Sequence, residues 1–314
     1  MSDSFIAFDT SCYTTSVALV TKGQVQSDAR KMLEVPLGGR GLRQSEAVFQ
    51  HIRNYEQLFK DNLFTGREIR AMGYSAKPCP RDDSYMPVFC VGQTLAVSSA
   101  SMLGIPCYAL THQHGHIYSG FLGNDIEDGL IAALHVSGGT LDILRVEIAE
   151  GIVSSIEPIG GKADLTCGQL IDRIGVAAGL KFPAGVEMEQ MYTPDCVKLS
   201  VHVEGLAANL SGAETQAMRM IAEGMDPAKV CSGAIDCSAE TLGLLVRHTA
   251  EQYGFHRFLF TGGVICNSVI RKHLQDICKP IGVASIFAQK EYCGDNACGL
   301  ALAAQKLYER GMSE

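Results

Sequence analysis

At 314 residues the chain is long enough to bury a large core and to form two domains of ordinary size. Its 46% hydrophobic and 19% charged residues make a globular composition and exclude a disordered one. The net charge of −8 argues against an unaided grip on a nucleic-acid backbone, which needs clustered Lys and Arg, so a nucleic-acid substrate would require a local basic patch or a partner that supplies one.

The N-terminal segment has no basic stretch ahead of its apolar run, and Asp9, Ser11 and Thr14 interrupt that run. It therefore reads as a strand and not a signal peptide. No apolar stretch reaches the roughly 18–20 residues of a membrane span. The expectation is a soluble, cytoplasmic protein without a membrane partner. Twelve cysteines are scattered without any C-x-x-C pair, so reduced thiols are expected in place of a disulfide framework or zinc ribbon.

In chain order, Phe5 to Asp9 predicts a strand, Thr10 to Thr15 a small polar turn, and Ser16 to Val20 a second strand. Residues 41–63 carry helical spacing, residues 77–87 hold three prolines and read as a loop, and Val91 to Leu103 reads as a helix of small residues. Tyr108 to Leu110 is a short strand. The opening pattern then recurs, with strand Leu130 to His135, a Ser-Gly-Gly turn, and strand Leu141 to Ile148. Helical stretches near 168–180, 211–223 and 236–253 precede strand Phe258 to Phe260, a Thr-Gly-Gly turn, a helix from Asn267 to about Ile277, and a last helix from about Asp295 to Arg310. Two copies of strand–turn–strand followed by alternating helices and strands predict an α/β fold of two similar domains. The layout resembles the ATPase superfamily of actin, Hsp70 and sugar kinases. That resemblance implies tandem ribonuclease H-like domains, 1–128 and 129–314, with a nucleotide–metal cleft between them. The first would end in a His-rich helix, and the second would carry a helical insertion near 165–230.

Three of the nine histidines fall within five residues, at His112, His114 and His116. On a helix, His112 and His116 project from one face and can share an ion, whereas His114 points away from it. A surface helix that is merely rich in histidine is the alternative. Two imidazoles need a distant carboxylate to complete a tight site, and Asp295, beside Asn296, is the candidate. A helix N-cap is the competing role for Asp295. His135, Val136, Ser137, Gly138 and Gly139 form one candidate phosphate turn, and Thr261 to Asn267 a second, because glycines let a backbone approach an anion closely. Asp172 could accept ribose hydroxyls, or simply face solvent. Gly185 would let a base or ribose lie near the backbone, and Asn267 closes the second turn. Asp9 is the catalytic candidate, placed to orient a water or a phosphate-bound cation, or else an ordinary aspartate at the end of a strand.

Taken in order, these pieces resemble the threonylcarbamoyl transferase (TsaD) family over nearly the whole chain. Phe8 to Cys12 is similar to the family's E-T-S-C, His112 to His116 to H-x-E-G-H, and Val136 to Gly139 to V-S-G-G. Gly168 to Arg173 is similar to G-E-A-F-D-K, Gly179 to Gly185 to G-L-x-Y-P-G-G, and Leu210 to Thr215 to F-S-G-L-K-T. Gly262 to Asn267 and Asp295-Asn296 match G-G-V-x-x-N and D-N. The resemblance implies one divalent metal, iron or zinc, on His112, His116 and Asp295. It also implies an adenylate, threonylcarbamoyl-AMP, on His135 to Gly139, Asp172, Gly185 and Asn267. The reaction implied is transfer of the threonylcarbamoyl group to N6 of adenosine 37 of tRNA, giving t6A. The tRNA would be reached through accessory proteins, including a heteromeric partner of the inactive-homologue or ATPase type. The chain departs from the family at Tyr13-Thr14, His114, Thr140, Ala184, Glu214 and Lys77 to Pro80, as a divergent paralogue would. The alternatives to t6A formation are a paralogue that retains the metal and nucleotide cleft but acts on another acceptor, and a non-catalytic partner subunit of the t6A complex.

Overall fold

A computed structural model describes residues 3–11, 13–35, 42–61 and 64–312. Cys12 of the opening motif, and residues 41, 62 and 63 of the first helical stretch, lie outside the described residues. The elements in chain order are β1 (Asp3–Thr10), β2 (Thr14–Thr21), β3 (Gln24–Met32), α1 (Gln44–Leu58), β4 (Glu68–Lys77), α2 (Phe89–Leu103), β5 (Cys107–Thr111) and α3 (His112–Ser119). Then come β6 (Gly129–Val136), β7 (Leu141–Ala149), β8 (Ile152–Lys162), α4 (Cys167–Ala177), α5 (Gly185–Gln190), β9 (His202–Glu204), β10 (Ala207–Asn209), α6 (Ser211–Ala222) and α7 (Pro227–Tyr253). The chain closes with β11 (Arg257–Thr261), α8 (Ser268–Cys278), β12 (Ala284–Phe287), α9 (Lys290–Cys293) and α10 (Cys298–Glu309). No helix of the described residues is long and apolar enough to cross a membrane. No disulfide links the described cysteines.

By contacts the chain divides into two compact units, 1–127 with 149–153 and 295–314, and 128–148 with 154–294. The first holds a five-stranded sheet of order β3-β2-β1-β4-β5. β1 pairs antiparallel with β2 and parallel with β4, and β4 pairs parallel with β5. β1 is buried on both faces, which explains its unbroken apolar run Phe5 to Phe8. Successive side chains alternate between faces. Ile6 and Phe8 pack with Tyr55 of α1 and Ala96 and Ala100 of α2, while Phe5 packs with Ala71, Tyr108 and Ala304 of α10. Each fully buried phenylalanine contributes roughly 1.5–3 kcal/mol.

Residues 295–314 thus group with the first unit, whereas the division drawn at 128/129 assigns them to the second. The reason is a close helix–sheet approach. A Cβ at Gly73 of β4 would lie 3.0 Å from the Leu300 carbonyl oxygen of α10, so glycine there lets the helix settle on the sheet. Sequence proximity cannot reveal this return of the chain. The turn at 149–153 joins the same unit, where the Tyr118 hydroxyl accepts the Val153 N–H at 2.9 Å.

The second unit holds a seven-stranded sheet of order β12-β11-β6-β7-β8-β10-β9. Its run β8-β7-β6-β11-β12 repeats the order of the first sheet, with β6 antiparallel to β7 and parallel to β11. Here one core gathers Leu134, Val136 and Phe260 of the sheet with Leu170 and Ile174 of α4 and Leu242 and Val246 of α7. α7 begins at Pro227, nine residues before the helix read from its periodicity. Asp226 caps it by accepting the Ala228 N–H, and Pro227 fills the first helical position. Strands β3, β4 and β8 to β10 escape a search for apolar runs. β3, for example, is a half-exposed edge of sequence QVQSDARKM.

Candidate functional site

α3 starts at the end of β5, where Thr111 caps it by accepting the His114 N–H at 3.2 Å. His112 and His116, one turn apart, turn the same way. Their rings meet edge to face with centroids 4.6 Å apart, and their Nε2 atoms are separated by 3.1 Å. Asp295 Oδ1 lies 3.5 Å from His112 Nε2 and 3.3 Å from His116 Nε2. One donor atom from each residue falls within 4.8 Å of the others, and among the described residues this is the single cluster of its kind.

Two glycines bring the carboxylate to the imidazoles. A side chain at Gly299 of α10 would overlap the Gly115 carbonyl oxygen of α3, and a Cβ at Gly115 would press on Leu300 Cγ at 3.2 Å. The two helices therefore pack backbone to backbone. Asn296 Oδ1 locks the junction by accepting the Ser119 hydroxyl at 3.2 Å and the Cys298 N–H at 2.8 Å. Asn296 thus engages the first N–H of α10, and the Asp295 carboxylate turns to the imidazoles instead.

Asp9 has no exposed surface, and its two oxygens stand 3.0 and 3.1 Å from His112 Nδ1. It sits behind the ring, so it is not placed to meet a water or a phosphate-bound cation directly. Ser11 donates its hydroxyl to Asp295 Oδ2 at 2.6 Å. Sequence reading passed over Ser11, although its place two residues beyond Asp9, just past the end of β1, was the available signal. His114 is half-buried, with Nδ1 2.6 Å from Thr111 Oγ1, and burial lowers its pKa to about 4. It points neither at the cluster nor freely into solvent.

Burial disfavours a charged His112, but the charges of Asp9 and then Asp295, with their hydrogen bonds, outweigh it and raise its pKa well above the ordinary value. For His116 burial prevails and the pKa falls. Asp295 is penalised by burial, yet the neighbouring His112 charge and the imidazole hydrogen bonds hold its carboxyl well below the usual range. Two imidazole nitrogens and one carboxylate oxygen converging on a point form a donor set that suits a divalent cation such as zinc or iron.

In the second unit the Ser-Gly-Gly turn lies at the end of β6, beside the Thr-Gly-Gly turn of β11, since His135 pairs with Thr261 across the two parallel strands. The carboxyl ends of neighbouring parallel strands are where open α/β sheets hold ligands. Gly262, at φ 100°, passes so near Val136 that a Cβ would overlap its carbonyl oxygen. His135 and Val136 are buried strand residues, and Ser137 closes the turn by donating its N–H to the Thr140 carbonyl at 2.9 Å. Thr166 Oγ1 holds the Gly138 carbonyl at 2.9 Å and Lys162 Nζ the Gly139 carbonyl at 3.1 Å. A Cβ at Gly138 or Gly139 would meet nothing within 4 Å, so the outer side of this turn is open.

The remaining nucleotide candidates have structural duties as well. Asp172 Oδ1 accepts the Ala184 N–H at 2.8 Å, and burial raises its pKa against that bond. Asn267 Oδ1 caps α8, accepting the N–H groups of Val269 and Ile270 at 3.0 and 3.1 Å. Gly185 opens α5, and a Cβ there would touch only Ile171 at 3.9 Å, so tight packing does not explain that glycine. Glu214, where the family carries Lys, pairs with Arg173 at 3.2 Å.

Solved structures repeat this architecture. The phosphate- and nucleotide-bound full-length HypF matches with a TM-score of 0.62 at 12% identity, covering 99% of this chain and 56% of that one. With the T. kodakarensis HypF, covered over 48%, this means the chain spans about half the length of the HypF chains it matches. The activator of the 2-hydroxyisocaproyl-CoA dehydratase from Clostridium difficile, with bound ADPNP, matches at TM-score 0.56 and 13% identity, covering 99% of this chain and 97% of that one. A ROK family glucokinase from Streptomyces griseus, in complex with glucose and AMPPNP, matches at 0.53 and 12%, covering 96% and 98%. At such identities the likeness establishes the fold, which is that of the actin-like ATPases. The family model for tRNA N6-adenosine threonylcarbamoyltransferase (TsaD) matches residues 55–302, spanning α3 and its histidines, both glycine turns and Asp295. That match takes in well over half of the chain, and the chain belongs to the TsaD family of tRNA N6-adenosine threonylcarbamoyltransferases.

Proposed function

We propose that the chain transfers a threonylcarbamoyl group from threonylcarbamoyl-AMP to N6 of adenosine 37 of tRNA, with one divalent ion, iron or zinc, held by His112, His116 and Asp295. The observation that carries this reading is the convergence of His112 Nε2, His116 Nε2 and Asp295 Oδ1 in a chain of this family. When bound, the ion supplies Lewis-acid polarisation of a carbonyl oxygen. The chain's own residues would do the rest. The Ser-Gly-Gly turn, with Asp172, Gly185 and Asn267 of the same unit, would hold the adenylate, and much of the rate would come from positioning. Accessory proteins, including a heteromeric partner of the inactive-homologue or ATPase type, would deliver the tRNA in the cytoplasm, and the net charge of −8, which disfavours an unaided grip on tRNA, supports the need for such help.

The test is genetic and chemical. Deletion should lower t6A in total tRNA, measured by nucleoside mass spectrometry, and expression in a depleted strain should restore it. Normal t6A after deletion, together with no activity alongside partner proteins, would remove the tRNA reading. A second reading is a transferase with the same metal and adenylate chemistry but another acceptor. It is favoured by Glu214, engaged with Arg173 where the family has Lys, and by His114, turned onto Thr111 where the family has Glu. Purified protein that retains metal and adenylate but leaves tRNA unmodified would select it.

A further inference from the structure

We infer that the end of β1 is the outer shell of the metal centre, with Asp9 fixing the tautomer of His112 and Ser11 fixing which oxygen of Asp295 faces the ion. The inference rests on the metal reading of this site and adds two positioning residues to it. A buried carboxylate must be compensated, and the two oxygens of Asp9 lie 3.0 and 3.1 Å from His112 Nδ1. With Asp9 accepting the Nδ1–H, Nε2 is the nitrogen that a neutral His112 would offer to an ion, and it faces His116 and Asp295. Ser11 Oγ does the matching task by donating to Asp295 Oδ2 at 2.6 Å, leaving Oδ1 to face both imidazoles.

The backbone explains why both tasks fall to one short segment. In extended chain, alternate side chains share a side. Asp9 and Ser11 are two apart and both turn to the cluster. Thr10 turns the other way and donates its hydroxyl to the Val88 carbonyl at 2.8 Å. A carboxylate–histidine pair behind a metal ligand fixes ring orientation and makes the liganding nitrogen more basic, and losing such a partner typically weakens metal binding about 10–100-fold.

The test is titration of the metal-free full chain with Co(II), read by its visible d–d absorption, with Zn(II) competition giving affinities. Wild type should bind one ion. Asp9→Asn and Asp9→Ala should bind about 10–100-fold more weakly, and Ser11→Ala should weaken binding in the same direction. Asp9→Glu keeps a carboxylate and should stay near wild type. Circular dichroism of the metal-free variants checks that they fold. Unchanged affinity in folded Asp9→Asn overturns the inference, as does equal loss in Asp9→Glu and Asp9→Ala, which would mark a packing defect. No uptake by wild type would overturn the metal reading and this inference with it. An independent readout uses wild type alone. Long-range nitrogen–proton correlation spectra of the Zn(II) form should show His112 protonated at Nδ1 and metallated at Nε2, and the reverse assignment would refute the role of Asp9.

Discussion

The carbonyl oxygen of Gly115 occupies the space that a side chain at Gly299 would need. Gly115 lies between His114 and His116, and Gly299 is four residues beyond Asp295, so this one close contact sets the distance between imidazoles and carboxylate. Gly299→Ala should therefore push α10 away from α3, destabilising the protein by about 1–3 kcal/mol, the usual cost of overpacking. It should also lower the stoichiometry of Co(II) uptake. Thermal unfolding and metal titration of the same variant check both effects. A variant that unfolds early yet binds the ion normally would separate helix packing from the site.

His112→Ala, His116→Ala and Asp295→Ala should each abolish stable metal uptake while leaving the second unit's turns intact. An ion that binds only the folded chain stabilises it by about 3 kcal/mol at a hundred times its dissociation constant. A chelator should therefore lower the melting temperature of wild type and leave that of His116→Ala unchanged. Calorimetry with and without chelator measures the difference.

His51, buried on α1 with Nδ1 2.8 Å from Thr15 Oγ1 of β2, titrates far below its free value. Burial lowers its pKa from 6.5 to about 4, opposed in part by the Ser11 backbone and the charge of Asp9. The folded chain binds this proton more weakly than the unfolded chain. The stability it contributes is complete above pH 6.5 and is lost as the pH falls through that value toward 4. Between pH 7.5 and 5 the loss amounts to about 2 kcal/mol. Urea unfolding at the two pH values should reveal this loss in wild type, and His51→Gln should lack it.

Gly262 and Gly138 make a contrast within the second unit. At Gly262, φ is 100° and a Cβ would overlap the Val136 carbonyl, so Gly262→Ala should cost about 1–3 kcal/mol of stability. A Cβ at Gly138 meets only open space, so Gly138→Ala should unfold near the wild-type denaturant midpoint. If that open turn holds the adenylate, the same variant should retain less nucleotide through purification, as mass spectrometry of released ligands would reveal. Equal retention would move the phosphate site elsewhere.

The β1–β2 hairpin, the helix over α4, the second hairpin at β6–β7 and the paired histidines were all legible along the chain, because each is a local pattern. Apolar runs of beta-branched residues mark strands, and two histidines four apart share a helix face wherever the helix lies. Edge strands such as β3 were not legible, since exposure strips them of apolar character. The true start of α7 was missed because its first turns mix small residues with few large apolar ones, although Asp226-Pro227 was the available mark.

By itself the sequence determined which side chains could bind a metal and on which helix face, because spacing and residue type are properties of the segment. Only the tertiary structure decided that Asp295 joins His112 and His116 while Asn296 engages the start of α10, that Asp9 stands behind a ring, and that the last helix packs with the first sheet. Those outcomes depend on side-chain direction and on how closely two backbones approach where glycines permit it, and neither quantity has a signature along a single chain.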